Sequence, residues 1–184
     1  MKRLEIRIAG FGGQGVILAG VLLARAAALH DQKKVVQTQS YGGEARGGAA
    51  KSEVVISNEQ IRYPKLIGND ILVAMSQTAL NRYSKDLGSG GTLIVEADLV
   101  SNIPKRSDIS VYRVSATKIA TEELKSRVAA NMIMLGILVG VTDVVSKEAI
   151  AKAVWEGVPK GTEDINLKAL KRGFEIAEQL KKER

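Results

Sequence analysis

The 184-residue sequence predicts one α/β domain over 1–184: a Rossmann-like, mostly parallel sheet flanked by helices, with a glycine-rich second loop and a helical C-terminal part. Three observations predict it. An alternating strand pattern at Leu4–Ala9 runs into Gly10-Phe11-Gly12-Gly13-Gln14-Gly15 and then into a long apolar helix pattern, the strand–turn–helix order that opens such domains. The runs Asp70–Met75 and Thr92–Val95 are apolar after their first residue, as central strands of parallel sheets are. From residue 128 onward the periodicity is helical.

The elements follow in order. Gln14–Leu29 is apolar almost all round, with Arg25 its only charge, which predicts a helix buried over most of its surface. Lys33–Thr38 reads as a second strand with a polar exit. Ser40–Ala50 is a second glycine cluster, with Glu44 and Arg46 among four glycines. Lys51–Ser57 alternates as a strand with Val54 and Ile56 on one face, and Ile61–Pro64 is extended. Ser76 is placed to cap a helix over Gln77–Leu87, and Gly88-Ser89-Gly90-Gly91 turns that helix into the strand at Thr92. Ser110–Val114 is a further strand, followed by a helix starting at Ser115 or Thr117. Val128–Val141 is a nearly wholly apolar central helix. Ser146 opens a helix through Trp155, ended by Gly157 and Pro159, and Ile165–Lys182 is amphipathic, with Ile165, Ala169, Ile176, Ala177 and Leu180 inward.

Composition excludes several chemistries. There is no cysteine, so the chain offers no disulfide, thiolate nucleophile or ligand set for an iron–sulfur cluster. The single His30 cannot assemble a zinc site, and at a helix end it reads as a terminator or dipole partner. The net charge of +7 is spread through segments with interleaved acids, the pattern of a solvated surface, and no like-charge block or stacking aromatics point to nucleic acid. The sequence enters a strand pattern with no signal peptide, and its apolar stretches are too short for ordinary membrane spans. The expected location is cytoplasmic.

Chemistry concentrates in the glycines. Gly10, Gly12 and Gly15 satisfy G-x-G-x-x-G between a strand and a helix, a turn that aims helix N-terminal amides at an anion. A dinucleotide-binding domain would need an acid at the end of the second strand for the ribose hydroxyls, but Gln37-Thr38-Gln39 stands there. That counts against NAD, and no arginine sits where the 2′-phosphate of NADP would need it. The alternative for the turn is close packing of helix on sheet, for which Gly20 already provides a position. Arg46 beside Gly47 and Gly48 combines a guanidinium with exposed amides, a polyanion-binding pattern, unless it only pairs with Glu44. Asn131, inside an apolar helix, needs a hydrogen-bond partner and could tie that helix to a glycine loop.

Taken together, Gly-Phe-Gly-Gly-Gln-Gly at 10–15, Ser-Tyr-Gly-Gly-Glu-Ala-Arg-Gly-Gly at 40–48 and Asn-Met-Ile-Met-Leu-Gly at 131–136 resemble the gamma subunit of 2-oxoacid:ferredoxin oxidoreductases, over essentially the whole chain. Gln39-Ser40-Tyr41, Ser52–Ser57 and Asp70–Gln77 look most like the 2-oxoglutarate branch, with the pyruvate, branched-chain and indolepyruvate branches left open. Gly43 stands where many relatives carry proline. The resemblance implies oxidative decarboxylation of a 2-oxoacid with coenzyme A, giving acyl-CoA, carbon dioxide and reduced ferredoxin. Thiamine diphosphate and iron–sulfur clusters would sit on partner alpha, beta and delta-type subunits, with ferredoxin reached through the complex. This chain would contribute coenzyme A binding and assembly, through Gly10, Gly12, Gly13, Gln14, Gly15, Tyr41, Arg46, Gly47 and Gly48, with no catalytic residue and no metal. The competing readings are a stand-alone NAD(P)-dependent oxidoreductase and a non-catalytic scaffold subunit.

Overall fold

A computed structural model describes residues 3–41 and 48–183; Arg46, Gly47 and Glu44 lie outside them. Among the described residues six strands form one sheet in the order β2-β3-β1-β4-β5-β6. They are β1 (Leu4–Phe11), β2 (Lys34–Tyr41), β3 (Ala49–Ser57), β4 (Ile71–Ala74), β5 (Thr92–Glu96) and β6 (Ser110–Val114). β1, β4, β5 and β6 pair parallel, as the apolar runs predict. The hairpin strand β3 is the exception, antiparallel to both β1 and β2.

Alternation along the strands divides two cores. Ile6, Ile8, Ile71, Val73 and Ile94 join the larger one, under helices α1 (Val16–Arg25), α3 (Ala116–Leu124), α4 (Ala130–Thr142), α5 (Lys147–Gly157) and α6 (Glu163–Lys182). Leu72, Ala74, Leu93 and Val95 face the other way, against Leu80 of α2 (Gln77–Tyr83) and Leu87. Period-2 alternation thus feeds two layers from one buried strand. Ser76 and Ser146 cap α2 and α5 as expected, accepting from the amides of Ala79 and Ala149 at 3.2 and 3.1 Å. The predicted helix over Gln77–Leu87 is shorter, with a 3-10 turn over Ser84–Asp86.

α4 is the central helix, with every residue from Ala130 to Gly140 buried. It meets α6 backbone to backbone: a Cβ on Gly136 would stand 3.0 Å from the Gly173 Cα and against the Leu170 carbonyl. Only glycine allows helices to approach this closely. α1 packs on β3 through Gly20, where a Cβ would run into Ser52. Its last turn is a π turn, Ala26–His30, and His30 Nε2 lies 3.3 Å from Glu156 Oε2 of α5. The expected burial of α1 over most of its surface is complete on one face and partial on the other. Val16, Ala19, Leu22 and Leu23 are buried, but Ile17, Leu18 and Val21 keep partial exposure and Leu29 is exposed. No described helix is long and apolar enough to cross a membrane.

Candidate functional site at the glycine turn

The sheet order reverses at β1. From β1 the chain passes through α1 to β2 on one side, and β4 lies on the other. Crevices of α/β sheets open at such switch points, beyond the carboxyl ends of the strands. Here that place is the turn Gly12–Gly15, and a cleft of about 500 Å³ lies beside it. Phe11, Gly12, Gly13 and Gln14 form one wall, Met75 and Leu99 line the ends of β4 and β5, and Thr117, Arg127, Val128 and Ala130 close the far side.

The turn is fixed from several directions. The amide of Gln14 donates to the Phe11 carbonyl at 3.1 Å, and that of Gly12 donates to the Gly48 carbonyl at 2.8 Å. The two glycine segments therefore meet in space, at the buried end of the second one. The Gln14 side chain faces into the turn: Oε1 accepts from the Phe11 amide at 2.6 Å and Nε2 donates to the Met75 carbonyl at 2.8 Å. It braces the turn against β4. Gly10 leaves room for that brace, because a Cβ there would strike Gln14 Oε1. Gly13 and Gly15 adopt φ of +93 and +70°, the left-handed region that side chains disfavour.

Gly15 is also the N-cap of α1, and no side chain caps it. The first-turn amides of this helix have no intrahelical acceptors and carry the positive end of the helix dipole. Asn131, in the first turn of α4, lies against Gly15 and donates from Nδ2 to the Gly15 carbonyl at 3.3 Å. Of the two outcomes its position in the sequence allowed, a satisfied core amide or a tie between the apolar helix and a glycine loop, this is the tie. Its Oδ1 is buried with no hydrogen-bond partner among the described residues.

Charge in the cleft comes from a residue that the sequence pattern did not single out. Arg127 precedes α4 in a 3-10 turn (Arg127–Ala129), is exposed, and its guanidinium has no partner among the described residues. Only the long-range packing of α4 brings it across from the glycine turn. Thr117 is held by Glu96, whose Oε2 accepts from the Thr117 amide at 2.8 Å and from its hydroxyl at 3.0 Å. Burial pushes the Glu96 carboxyl above its ordinary pKa, although Thr117 and the Asp98 amide favour the charged form. Glu96 thereby helps start α3, whose Ser115 makes no side-chain cap bond.

The remaining sequence-predicted positions divide. Tyr41 ends β2, which runs further than the expected Thr38, and is 66% exposed. It borders a second open cleft of about 460 Å³ on the other side of Gly12 and Gly13, lined also by Ile17, Leu18 and Val21. Gly48 is buried against the turn, and Arg46 and Gly47 are outside the described residues. The topology adds a reason against a dinucleotide. β3 lies between β1 and β2, so the end of β2 stands two strand spacings, about 10 Å, from β1 instead of beside it. An acid there would be a strand too far from the turn to reach a ribose in the usual way.

The sequence and the fold recur in known proteins. The chain is 55% identical over 180 residues to the 2-oxoglutarate synthase subunit KorC of Methanocaldococcus jannaschii, covering 97% of this chain and 96% of that one. A crystal structure of the gamma subunit of a keto/oxoacid ferredoxin oxidoreductase from Geobacter sulfurreducens superposes with a TM-score of 0.85 at 45% identity, covering 96% of this chain and 99% of that one. The ketoisovalerate oxidoreductase subunit VorA of Methanothermobacter marburgensis is 34% identical over 181 residues, which are 96% of this chain but 37% of the longer one. Residues 5–176 match the pyruvate ferredoxin/flavodoxin oxidoreductase family, and the chain belongs to that family.

Proposed function

We propose that the chain is the gamma subunit of a 2-oxoglutarate:ferredoxin oxidoreductase and that its cleft at the glycine turn receives the phosphates of coenzyme A. The relative at 55% identity, a 2-oxoglutarate synthase subunit, supports the substrate. In the overall reaction the 2-oxoacid loses carbon dioxide, its acyl group passes to the coenzyme A thiol, and two electrons leave on ferredoxin. The chain's own donors do not fit an iron–sulfur cluster, since it has no cysteine. In this reading the redox groups and the thiamine diphosphate belong to partner alpha, beta and delta-type subunits, and this chain acts on the cosubstrate.

One observation carries the binding role: the left-handed Gly13 and Arg127, whose guanidinium has no partner among the described residues, line a single cleft, while the uncapped N-terminus of α1 at Gly15 and Val16 borders the second cleft on the other side of the turn. A guanidinium beside the Gly13 backbone suits a phosphate, for which arginine supplies two parallel donors. The apolar walls at Phe11, Met75, Leu99 and Val128 suit the uncharged part of a cosubstrate. Gly12, Gly13 and Gly15 would give the backbone surface, with Gln14 and Gly10 holding its shape. Arg46, with Gly47 and Gly48, is proposed as a second anion contact.

In the assembled enzyme, Arg127→Ala is expected to raise the apparent KM for coenzyme A about tenfold or more, the effect of losing a charged hydrogen bond worth roughly 1.5–3 kcal/mol. The maximal rate at saturating coenzyme A should stay within about twofold, because the contact exists before and during reaction alike. An unchanged KM would remove Arg127, and with it this reading of the cleft.

A further inference from the structure

We infer that Thr117 is a specificity-determining residue of the cleft at the glycine turn: Glu96 holds its hydroxyl as a hydrogen-bond acceptor, and the group it accepts from is an amide N–H of the pantetheine arm of coenzyme A. The inference rests on the proposed coenzyme A site and deepens it. It starts from the direction of one hydrogen bond. The Thr117 hydroxyl lies 3.0 Å from Glu96 Oε2, and the Thr117 amide nitrogen lies 2.8 Å from the same oxygen. A carboxylate only accepts, and a hydroxyl has one hydrogen and two lone pairs. The hydroxyl hydrogen of Thr117 therefore goes to Glu96, and what the oxygen still offers is a lone pair. Glu96 is itself fixed. It is fully buried at the end of β5, and its other oxygen accepts from the Asp98 amide at 3.3 Å.

The rest of the cleft makes this lone pair count. Thr117 is partly exposed and lines the cleft with the apolar Leu99 and Val128. Arg127 can only donate, and Gln14 is turned into its brace between Phe11 and Met75. Among the described residues of the cleft, Thr117 is therefore the side chain left to accept. Negative charge stands behind it: Glu96 directly, and Asp98, whose Oδ1 accepts from the Ser115 hydroxyl at 2.8 Å. Like charge at short range disfavours a phosphate at that place and leaves it to a neutral N–H. Coenzyme A supplies both halves of the match, phosphates for Arg127 and an uncharged arm carrying amide N–H groups for Thr117. In an apolar pocket a few placed polar groups fix the orientation of the ligand. A site that pairs with a ligand N–H also rejects an analogue lacking it, because its own polar group is then left bare.

Calorimetry on the assembled enzyme tests this with pantetheine and with analogues in which an ester oxygen replaces each amide N–H in turn. Wild type is expected to bind one analogue about five- to tenfold more weakly than pantetheine, the loss of one hydrogen bond with its acceptor left bare. Thr117→Val, which keeps the shape and removes the hydroxyl, should weaken pantetheine by about the same factor and bind that analogue no worse than pantetheine. Thr117→Ser should restore the wild-type preference. Adenosine 3′,5′-bisphosphate, which lacks the arm, should bind wild type and Thr117→Val alike, a distinction that a merely loosened start of α3 would erase. Wild type binding every analogue as tightly as pantetheine would overturn the assignment without any variant, and would leave the proposed function standing. Equal loss of pantetheine and the bisphosphate in Thr117→Val would overturn it too. Wild type that binds neither coenzyme A nor the bisphosphate would overturn the proposed function as well.

Discussion

Replacing Gly15 by alanine should break the joint between the first turns of α1 and α4. A side chain at φ +70° costs ~1–2 kcal/mol in the left-handed region. The new Cβ would lie 2.8 Å from the Asn131 Cγ and closer still to Nδ2, so Asn131 has to turn away from the Gly15 carbonyl. That loses a hydrogen bond worth about 1 kcal/mol and leaves a buried amide donor unpaired, a further ~1–2 kcal/mol. The sum, roughly 3–5 kcal/mol, corresponds to a fall in melting temperature of about 10 °C or more for a domain of this size. In an Asn131→Ala background the obstruction is gone, since the nearest remaining atom is the residue-131 Cβ at 3.3 Å. There Gly15→Ala should cost only the backbone strain, ~1–2 kcal/mol. Urea denaturation of the wild type, both single variants and the double variant measures the difference as a coupling of about 2 kcal/mol. Additive effects would refute the claim that these two residues share one space.

Glu53 and Gly136 carry the other stability predictions. Burial works against the Glu53 carboxylate, but the hydrogen bonds from Lys51 and Arg7 hold its pKa below the ordinary 4.5. A pKa lowered on folding contributes stability that is fully present above 4.5 and is lost as the pH falls through the folded value. Glu53→Gln, which leaves buried Arg7 with Asp86 as its one ionic partner among the described residues, should cost roughly 3 kcal/mol at pH 7, and the gap from wild type should narrow as unfolding is measured at successively lower pH below 4.5. A gap constant across that range would contradict the pairing. Gly136→Ala should lower stability by roughly 2–3 kcal/mol in thermal melts by forcing α4 and α6 apart, against the small gain alanine normally brings to a helix.

What the sequence could reveal depended on how local each cause was. The strand, glycine turn and helix at residues 4–25 were legible because each has its own periodicity or backbone requirement. Ser76 and Ser146 were legible as caps because a hydroxyl three residues before a free amide needs nothing else. Asn131 was legible for a different reason: a polar side chain in an apolar helix must find a partner, and it found Gly15. The reversal of β3 was not legible, since alternation looks the same in either direction and only the short connection from β2 hints at a hairpin. β2 runs on to Tyr41 because Gln39, Ser40 and Tyr41 pair with Ser52, Lys51 and Ala50, a register that no local pattern encodes. Arg127 escaped notice because its significance arises from a fold that carries it 115 residues along the chain to stand opposite Gly12. The partial exposure of α1 escaped notice because the sequence marks a helix face as apolar without saying what covers it.

Binding of coenzyme A and of its phosphate-free arm, pantetheine, to the assembled enzyme tests the central claim most directly. Calorimetry at two ionic strengths, on wild type and Arg127→Ala, separates the anion contact from the rest. The cleft as described predicts that coenzyme A binds the wild type more tightly than pantetheine does, that raising the salt narrows this difference, and that Arg127→Ala weakens coenzyme A about tenfold while leaving pantetheine unchanged. Equal loss of both ligands in Arg127→Ala, or no loss of either, would contradict a phosphate site at the glycine turn.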